Sequence, residues 1–90
     1  MMHFEWDRAK ANANRRKHKV TFDEAVSVFY DSLSATFPDP DSSRSEERLI
    51  TIGHSSRQRL LVVVYTEQSE TIRIISARLA TAHERKRHET

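Results

Sequence analysis

Three segments rich in β-branched residues dominate the second half of this chain. They are residues 46–54, 60–66 and 71–78. Short polar breaks separate them, a pattern typical of antiparallel strands joined in a meander. The middle segment is apolar at every position from Leu60 to Tyr65, which predicts a central strand covered on both faces. Because Arg48, Arg73 and Arg78 lie among the apolar residues of its neighbours, this small sheet is also the predicted working surface.

Two helices are predicted ahead of the sheet. Asp7 can cap a basic helix over Arg8–His18, because its carboxylate can accept unpaired amide hydrogens of the first turn. The thin apolar stripe of that helix is marked by Ala9 and Ala13. A second helix is predicted from Thr21, which forms a capping box with Glu24. It should bury one face, because four apolar residues follow the i, i+3, i+4, i+7 spacing. They are Phe22, Ala25, Val26 and Phe29.

Shorter elements complete the predicted fold. Residues 3–6 alternate apolar and polar, as in a short edge strand, and residues 34–37 can add another strand. Pro38 and a second proline then favour an extended loop. Residues 81–84 form another capping box, which predicts a short C-terminal helix. The class is therefore α+β, with one domain over residues 1–90: a small antiparallel sheet, two N-terminal helices and a short C-terminal helix.

The composition narrows the class of protein. Hydrophobic residues are 37% and charged residues 31%, which favours a folded chain over a disordered one. Without cysteine, the chain has neither disulfides nor thiolate metal sites. No apolar run approaches the roughly 20 residues that span a bilayer, and the N-terminus lacks the apolar core of a signal peptide. We therefore expect a cytoplasmic protein without a membrane partner.

The charges are unevenly distributed along the chain. Residues 1–20 contain six Lys or Arg and two acidic residues, whereas residues 23–47 contain seven acidic residues and one Arg. The balance turns basic again from Arg48 onward, although the net charge is only +2. Such asymmetry indicates either a polyanion contact beside an acidic surface or ordinary solvated helix faces.

The usual motifs of metal and nucleotide sites do not occur in the sequence. It has no glycine-rich phosphate loop, no HExxH zinc helix, no acidic calcium loop and no nucleophile elbow. His83 and His88 lie five residues apart on the last predicted helix, so they do not share a face cleanly. We therefore predict neither a metal site nor a cofactor.

The remaining candidates for chemistry form a cationic set. His18 ends the first helix beside Lys17, where the negative helix terminus favours an imidazolium. It is either a proton-transfer residue or a helix cap. Glu47 is either a general base or a salt-bridge partner of Arg48 or Lys10. Metal-free RNA cleavage needs a proton-transfer residue near the reacting oxygens and cations on the phosphate.

The strand period limits how the arginines can act together. Because side chains alternate along a strand, Arg73 and Arg78 point to opposite faces unless a bulge intervenes or Arg78 lies past the strand end. Otherwise one of them is structural. Trp6 has two interpretations as well: it can stack on an RNA base, or it can anchor the N-terminus to the core.

Motifs along nearly the whole chain resemble the BrnT family of toxins. The matching residues are Phe4-Glu5-Trp6-Asp7, Lys10, Asn14, Lys17-His18, Val20, Phe22, Glu24-Ala25, Phe29, Asp31, Glu46-Glu47-Arg48, Ile52-Gly53-His54-Ser55, Ile72-Arg73-Ile74-Ile75-Ser76-Ala77-Arg78 and Glu84-Arg85. The resemblance implies a RelE-like fold, ribonuclease activity that arrests growth, and a cognate BrnA-type antitoxin. Operator DNA would be bound only through the antitoxin complex. Together with the chemistry above, it assigns catalytic roles to His18, Glu47, Arg73 and Arg78. RNA binding is assigned to Lys10, Lys17, Arg48 and Trp6.

Three positions depart from the family pattern. Lys19 stands where the family usually has glycine, so we expect the turn there to form without a residue that enters the left-handed region freely. Ser42-Ser43 stand where a histidine is common. His88 replaces a tyrosine, and it either substitutes as a proton donor or lowers activity.

The sequence thus predicts an endoribonuclease toxin of a type II toxin–antitoxin pair that cuts RNA without a metal ion. The alternative is a non-catalytic RNA- or DNA-binding module that acts with a small partner protein. In a third interpretation, the charges mainly serve a protein interface.

Overall fold

The computed structural model describes residues 2–41 and 47–89, which form three helices and five strands. In chain order these are β1 (His3–Glu5), α1 (Arg8–His18), α2 (Phe22–Val28), β2 (Ala35–Pro38), β3 (Leu49–His54), β4 (Leu60–Gln68), β5 (Thr71–Leu79) and α3 (Ala82–Glu89). The predicted α+β class is confirmed. Within the described residues, no helix is long and apolar enough to cross a membrane.

The sheet is mostly antiparallel, and β4 lies at its centre. The strand order is β1-β5-β4-β3-β2, and the β1–β5 pair is parallel. Leu61 and Val63 of β4 pack into the core beneath α1 and α2, which we call the helix-covered face of the sheet. Leu60 and Val62 are buried on the opposite face with Ile52. The predicted central strand, covered on both faces, is confirmed because apolar residues at successive positions alternate between the two sides.

All three helices begin at the predicted caps. Asp7 Oδ2 accepts the Lys10 N–H at 2.9 Å, and Thr21 Oγ1 accepts the Glu24 N–H at 3.0 Å. At α3 the capping box is complete in both directions between Thr81 and Glu84, at 3.1 and 2.8 Å. Side chains next to each start satisfy amides that have no partner within the helix.

The buried face of α1 differs from the predicted one. Ala9 and Ala13 are exposed, so the expected alanine stripe is wrong. Instead the buried Asn14 donates to the Ala77 carbonyl at 2.8 Å and accepts the Ala77 N–H at 3.2 Å. Its amide thereby satisfies the backbone of β5 at a point that β1 does not reach, since β1 pairs only up to Arg73. Asn14 lies in the core although it is polar, because the backbone N–H and carbonyl of Ala77 have no strand partner on that side and need hydrogen bonds.

The end of α2 also differs from the prediction. The helix stops at Val28, which is fully buried, and Phe29 is the C-cap and only partly buried. The Phe29 ring packs on Phe4 and Tyr65, with centroids 5.3 and 4.9 Å away. Phe29 is therefore an aromatic contact at the rim of the core rather than its last fully buried anchor.

A left-handed residue joins α1 to α2. Lys19 adopts φ 60° and ψ 31°, and its N–H bonds to the Arg15 carbonyl at 2.9 Å. Lysine in this region is strained by contact between its Cβ and the backbone, which is why glycine is favoured there. The turn between α1 and α2 therefore has the left-handed conformation that favours glycine, although the residue there is a lysine.

The β4–β5 ladder contains a bulge that decides where the arginines point. Val64 pairs with Ser76, but Tyr65 pairs with Ile74, so Ile75 is the extra residue. On either side of it, Arg73 pairs with Thr66 and Arg78 pairs with Val62. Because the bulge resets the alternation, both arginines lie on the face opposite α1 and α2. The sequence allowed both arginines to share a face if a bulge intervened or if Arg78 lay past the strand end. The structure contains the bulge.

Candidate active site

A groove of 540 Å³ opens between α3 and the face of the sheet that α1 and α2 leave uncovered. Its floor is apolar and consists of Ala35, Phe37, Ile50, Ile52 and Val62. The opposite wall carries charged and titratable side chains: Arg78, His83, Glu84, Arg87 and His88. Because the bulge turns Arg78 toward this face, the end of β5 contributes a cation to a wall otherwise built by α3. We call this site the α3 groove.

Arg78 is held in a fixed orientation by Glu84. Its Nη1 and Nη2 donate to Glu84 Oε1 and Oε2, both at 2.8 Å, and Nη1 also reaches the Leu79 carbonyl at 3.2 Å. The bonds from Arg78 lower the pKa of Glu84 from 4.5 to about 2 and raise the pKa of the arginine above its usual value. Both groups therefore stay charged at neutral pH. A two-point pair of this kind fixes direction as well as position.

Two histidines line the α3 groove, and a third lies beside one of them. His83 and His88 both line the groove, although their spacing did not predict a shared face. The His54 ring lies beside His88, with centroids 6.3 Å apart. Among the residues that the structure describes, no three His, Asp or Glu side chains are arranged to hold a metal ion.

Arg73 lies in a different groove from Arg78. It pairs with Glu5, Nη1 to Oε2 at 2.9 Å, in a polar groove of 440 Å³ at the β1 side of the sheet. The two arginines thus share a face of the sheet but line separate grooves. A phosphate in the α3 groove would meet Arg78 and not Arg73.

The other proposed catalytic residues lie outside the lining of the α3 groove. His18 is the last residue of α1 and is partly buried, one helical turn beyond Asn14. Glu47 is exposed just ahead of β3. Its neighbour Glu46, part of the same motif, falls outside the described residues.

The proposed RNA-binding residues are spread over several elements. Lys10 and Lys17 are exposed on α1, and Arg48 is partly buried next to β3. Trp6 packs edge-to-face on Phe22, with centroids 5.8 Å apart, and belongs to the rim of the main core. That contact fits the interpretation of Trp6 as an N-terminal anchor.

Sequence reasoning missed three groups near the α3 groove: Asp31, His54 and Arg87. Asp31 and His54 are 23 residues apart, so their proximity depends on the sheet. The available signal was the Gly53-His54 pair, which carries the only glycine of the chain.

Comparison with known proteins identifies the family. Residues 6–84 match the family model described as "Ribonuclease toxin, BrnT, of type II toxin-antitoxin system". The fold is similar to that of the Brucella abortus ribonuclease toxin BrnT, solved in a crystal at 1.1 Å resolution, with a TM-score of 0.70. That alignment has 23% identity and covers 90% of this chain and 99% of the other, so it shows likeness of fold. No curated protein sequence matches the chain. Because the family match spans most of its length, the chain belongs to the BrnT family of ribonuclease toxins of type II toxin–antitoxin systems.

Proposed function

We propose that this protein is an endoribonuclease toxin that cuts RNA in the cytoplasm without a metal ion, arrests growth, and binds the scissile phosphate in the α3 groove. The observation that carries the proposal is the fixed Arg78 guanidinium on a groove wall that also holds Arg87 and two histidines. Cations on phosphate oxygens and imidazoles for proton transfer are the groups that such a reaction uses.

The proposed reaction is a transfer of the phosphoryl group within RNA. The 2′-oxygen attacks phosphorus as its proton leaves, the bond to the 5′-oxygen breaks, and that oxygen takes up a proton. The products are a 2′,3′-cyclic phosphate and a free 5′-hydroxyl. Negative charge grows on the non-bridging oxygens in the transition state, where a fixed Arg78 would stabilise it more than it stabilises the substrate.

The roles assigned from the sequence enter the proposal with their positions in the fold. His18 and Glu47 are proposed for proton transfer. Arg73, in its separate groove, is proposed to bind a phosphate farther along the RNA strand. Lys10, Lys17, Arg48 and Trp6 are proposed to extend RNA binding beyond the groove. Arg73, Lys10 and Lys17 are basic and exposed, which suits non-specific contacts with the backbone of a single strand.

We also propose a BrnA-type antitoxin as the partner, with operator DNA bound only by the toxin–antitoxin complex. The apolar floor of the α3 groove supports a protein contact there. Phe37, a residue of this floor, is 44% exposed, and an apolar anchor from a partner could cover it. An antitoxin seated on the floor would also block access of RNA to Arg78.

Cleavage of RNA in excess EDTA tests the proposal. The wild type should cut and leave cyclic phosphate ends. Arg78→Ala should lower kcat by about 10²–10³-fold, the usual effect of losing one group that stabilises an anionic transition state, and should abolish growth arrest on induction. Arg78→Lys should recover only part of the activity, because an ammonium lacks the two-point geometry.

Arg57→Ala is the matched control, since Arg57 is exposed in the turn between β3 and β4. It should cut at the wild-type rate. RNA retained at low salt but left uncut by the wild type would instead support the binding-module alternative. Full activity of a folded Arg78→Ala protein would remove Arg78 from the site.

A further inference from the structure

We propose that His54 is a catalytic proton-transfer residue of the RNA cleavage reaction, acting with His88 and held in place by Asp31. This inference rests on the proposed function but moves both proton transfers away from His18 and Glu47, which lie outside the lining of the α3 groove. Three observations carry it: the fixed position of Asp31, the close approach that Gly53 permits, and the ring contact between the two histidines.

Asp31 is fixed in the loop between α2 and β2. Its Oδ2 accepts the backbone N–H of His54 at 2.7 Å, and its Oδ1 accepts that of Leu33 at 3.0 Å. These backbone bonds, led by the one from His54, lower the pKa of the Asp31 carboxyl, so it is charged at neutral pH. The same Oδ2 lies 3.8 Å from His54 Nδ1. The carboxylate therefore limits where the imidazole can turn.

Gly53 makes this approach possible. A Cβ at position 53 would lie 2.8 Å from Ser34 Cβ and 3.1 Å from Asp31 Oδ2. Any larger side chain would push the loop away from β3 and carry the carboxylate away from His54. The only glycine of the chain thus lies where a side chain would not fit, and its small size keeps Asp31 close to His54.

His54 faces the substrate side of the sheet. It follows Ile50 and Ile52 at alternate positions of β3, and both of these residues line the floor of the α3 groove. Its side chain is 43% exposed, so a ligand can reach it. The His88 ring lies 6.3 Å away and lines the same groove. Two imidazoles at this separation can reach oxygens of a single phosphodiester through hydrogen bonds.

The two rings supply the two proton transfers of the reaction. One neutral imidazole takes the proton of the 2′-hydroxyl as the bond between the 2′-oxygen and phosphorus forms. The other, as imidazolium, gives its proton to the 5′-oxygen as the bond from phosphorus breaks. The ring that gained a proton and the ring that lost one exchange it with water, so the site returns to its starting charge. Asp31 does not touch the substrate in this scheme and is a positioning residue.

Charged and titratable side chains surround the two rings. The groups that face the two rings or line the same groove are Asp31, Arg78, His83, Glu84 and Arg87. Because the reaction needs one group without its proton and one with it, the rate should follow a bell-shaped dependence on pH.

The test is steady-state cleavage of a single-stranded RNA by the full chain in EDTA, measured across pH. His54→Gln and His88→Gln should each lower kcat by about 10²–10⁴-fold, the range for loss of a general acid or base, and each should flatten one limb of the bell. Added imidazole should restore part of the activity of His54→Ala. Asp31→Asn should lower kcat about tenfold with KM unchanged, because the His54 imidazole is no longer held beside a carboxylate.

His3→Gln is the control, since His3 is exposed on β1, at the opposite edge of the sheet from β2. It should match the wild type. His88 lies on a helix without buried residues, so its substitution tests the pair even if the His54 variants fold poorly. Wild-type rates and an unchanged bell in both His54→Gln and His88→Gln would overturn the inference while leaving the proposed ribonuclease intact. An uncut substrate with the wild type would overturn both.

Discussion

Arg59→Met is expected to destabilise the protein by about 3–5 kcal/mol at pH 7.5, because it leaves a buried carboxylate without its cation. The Glu24 side chain is 4% exposed and accepts bonds from Arg59 Nε at 2.9 Å, from Arg59 Nη2, and from Ser55 Oγ at 2.6 Å. Arg59 Nη2 also donates to the Lys19 carbonyl at 3.0 Å. The loss is a large share of the roughly 5–15 kcal/mol by which domains are stable.

The pH dependence of this loss identifies its cause. In the wild type, the hydrogen bonds from Arg59 hold the pKa of Glu24 below its ordinary value of 4.5. That contribution is present above pH 4.5 and is lost as the pH falls through the lower, folded-state pKa. Without the guanidinium, burial is the largest remaining influence and acts to raise the pKa of Glu24, so the carboxyl takes up a proton at a higher pH than in the wild type. The difference in the free energy of unfolding between Arg59→Met and the wild type should therefore become smaller from pH 7.5 to pH 4.

Urea unfolding monitored by the fluorescence of Trp6 measures both effects, since this indole packs on Phe22 at the rim of the core. A loss of 3 kcal/mol corresponds to at least about 12 °C in Tm for a domain of this size. The control is Arg57→Met, which removes an exposed charge and should change stability by less than about 0.5 kcal/mol. A loss below about 1 kcal/mol for Arg59→Met, or one that does not depend on pH, would refute the reasoning.

Two further changes test the ends of the N-terminal helices. Phe29→Ala should cost about 2–3 kcal/mol, below the 3–5 of a fully buried Phe because its ring is partly exposed; Tyr30→Ala, at a side chain 76% exposed, is the control for the same urea titration. A Phe29→Ala midpoint equal to that of Tyr30→Ala would contradict the packing. Lys19→Gly should stabilise by about 0.5–1 kcal/mol because it relieves a positive φ, whereas Lys17→Gly, inside α1, should destabilise by a similar amount. Equal thermal shifts for the two glycine variants would show that the left-handed strain is negligible.

Local physics made much of the fold readable from the sequence. Asp7, Thr21 and Thr81 start helices because a side-chain oxygen can satisfy amides within the next three residues, and that requirement is visible in the sequence. Unbroken apolar character over residues 60–65 placed β4 at the centre, since only a strand covered on both faces needs it. These predictions depend only on residues close together in the sequence, and the structure confirms them.

The candidate site depended on distances that no local pattern contains. Whether Arg73 and Arg78 share a face was decided by the bulge at Ile75, a single extra residue in the pairing of β4 with β5. Tertiary structure also decided the partner of Glu24. Its backbone follows the predicted capping box, but its carboxylate leaves the helix start for Arg59.

The proximity of the proposed proton-transfer groups could not be predicted from local sequence patterns either. Asp31, His54 and His88 come from a loop, a strand end and the last helix. Asp31 reaches His54 because Gly53 lets the loop pack against the sheet, and His88 reaches it because α3 folds back over the sheet. The sequence by itself determined which residues could cap, alternate or carry charge, because those properties act over a few residues. Which charges meet across the groove is a property of packing, since it depends on register, bulges and close backbone approach between segments far apart in the chain.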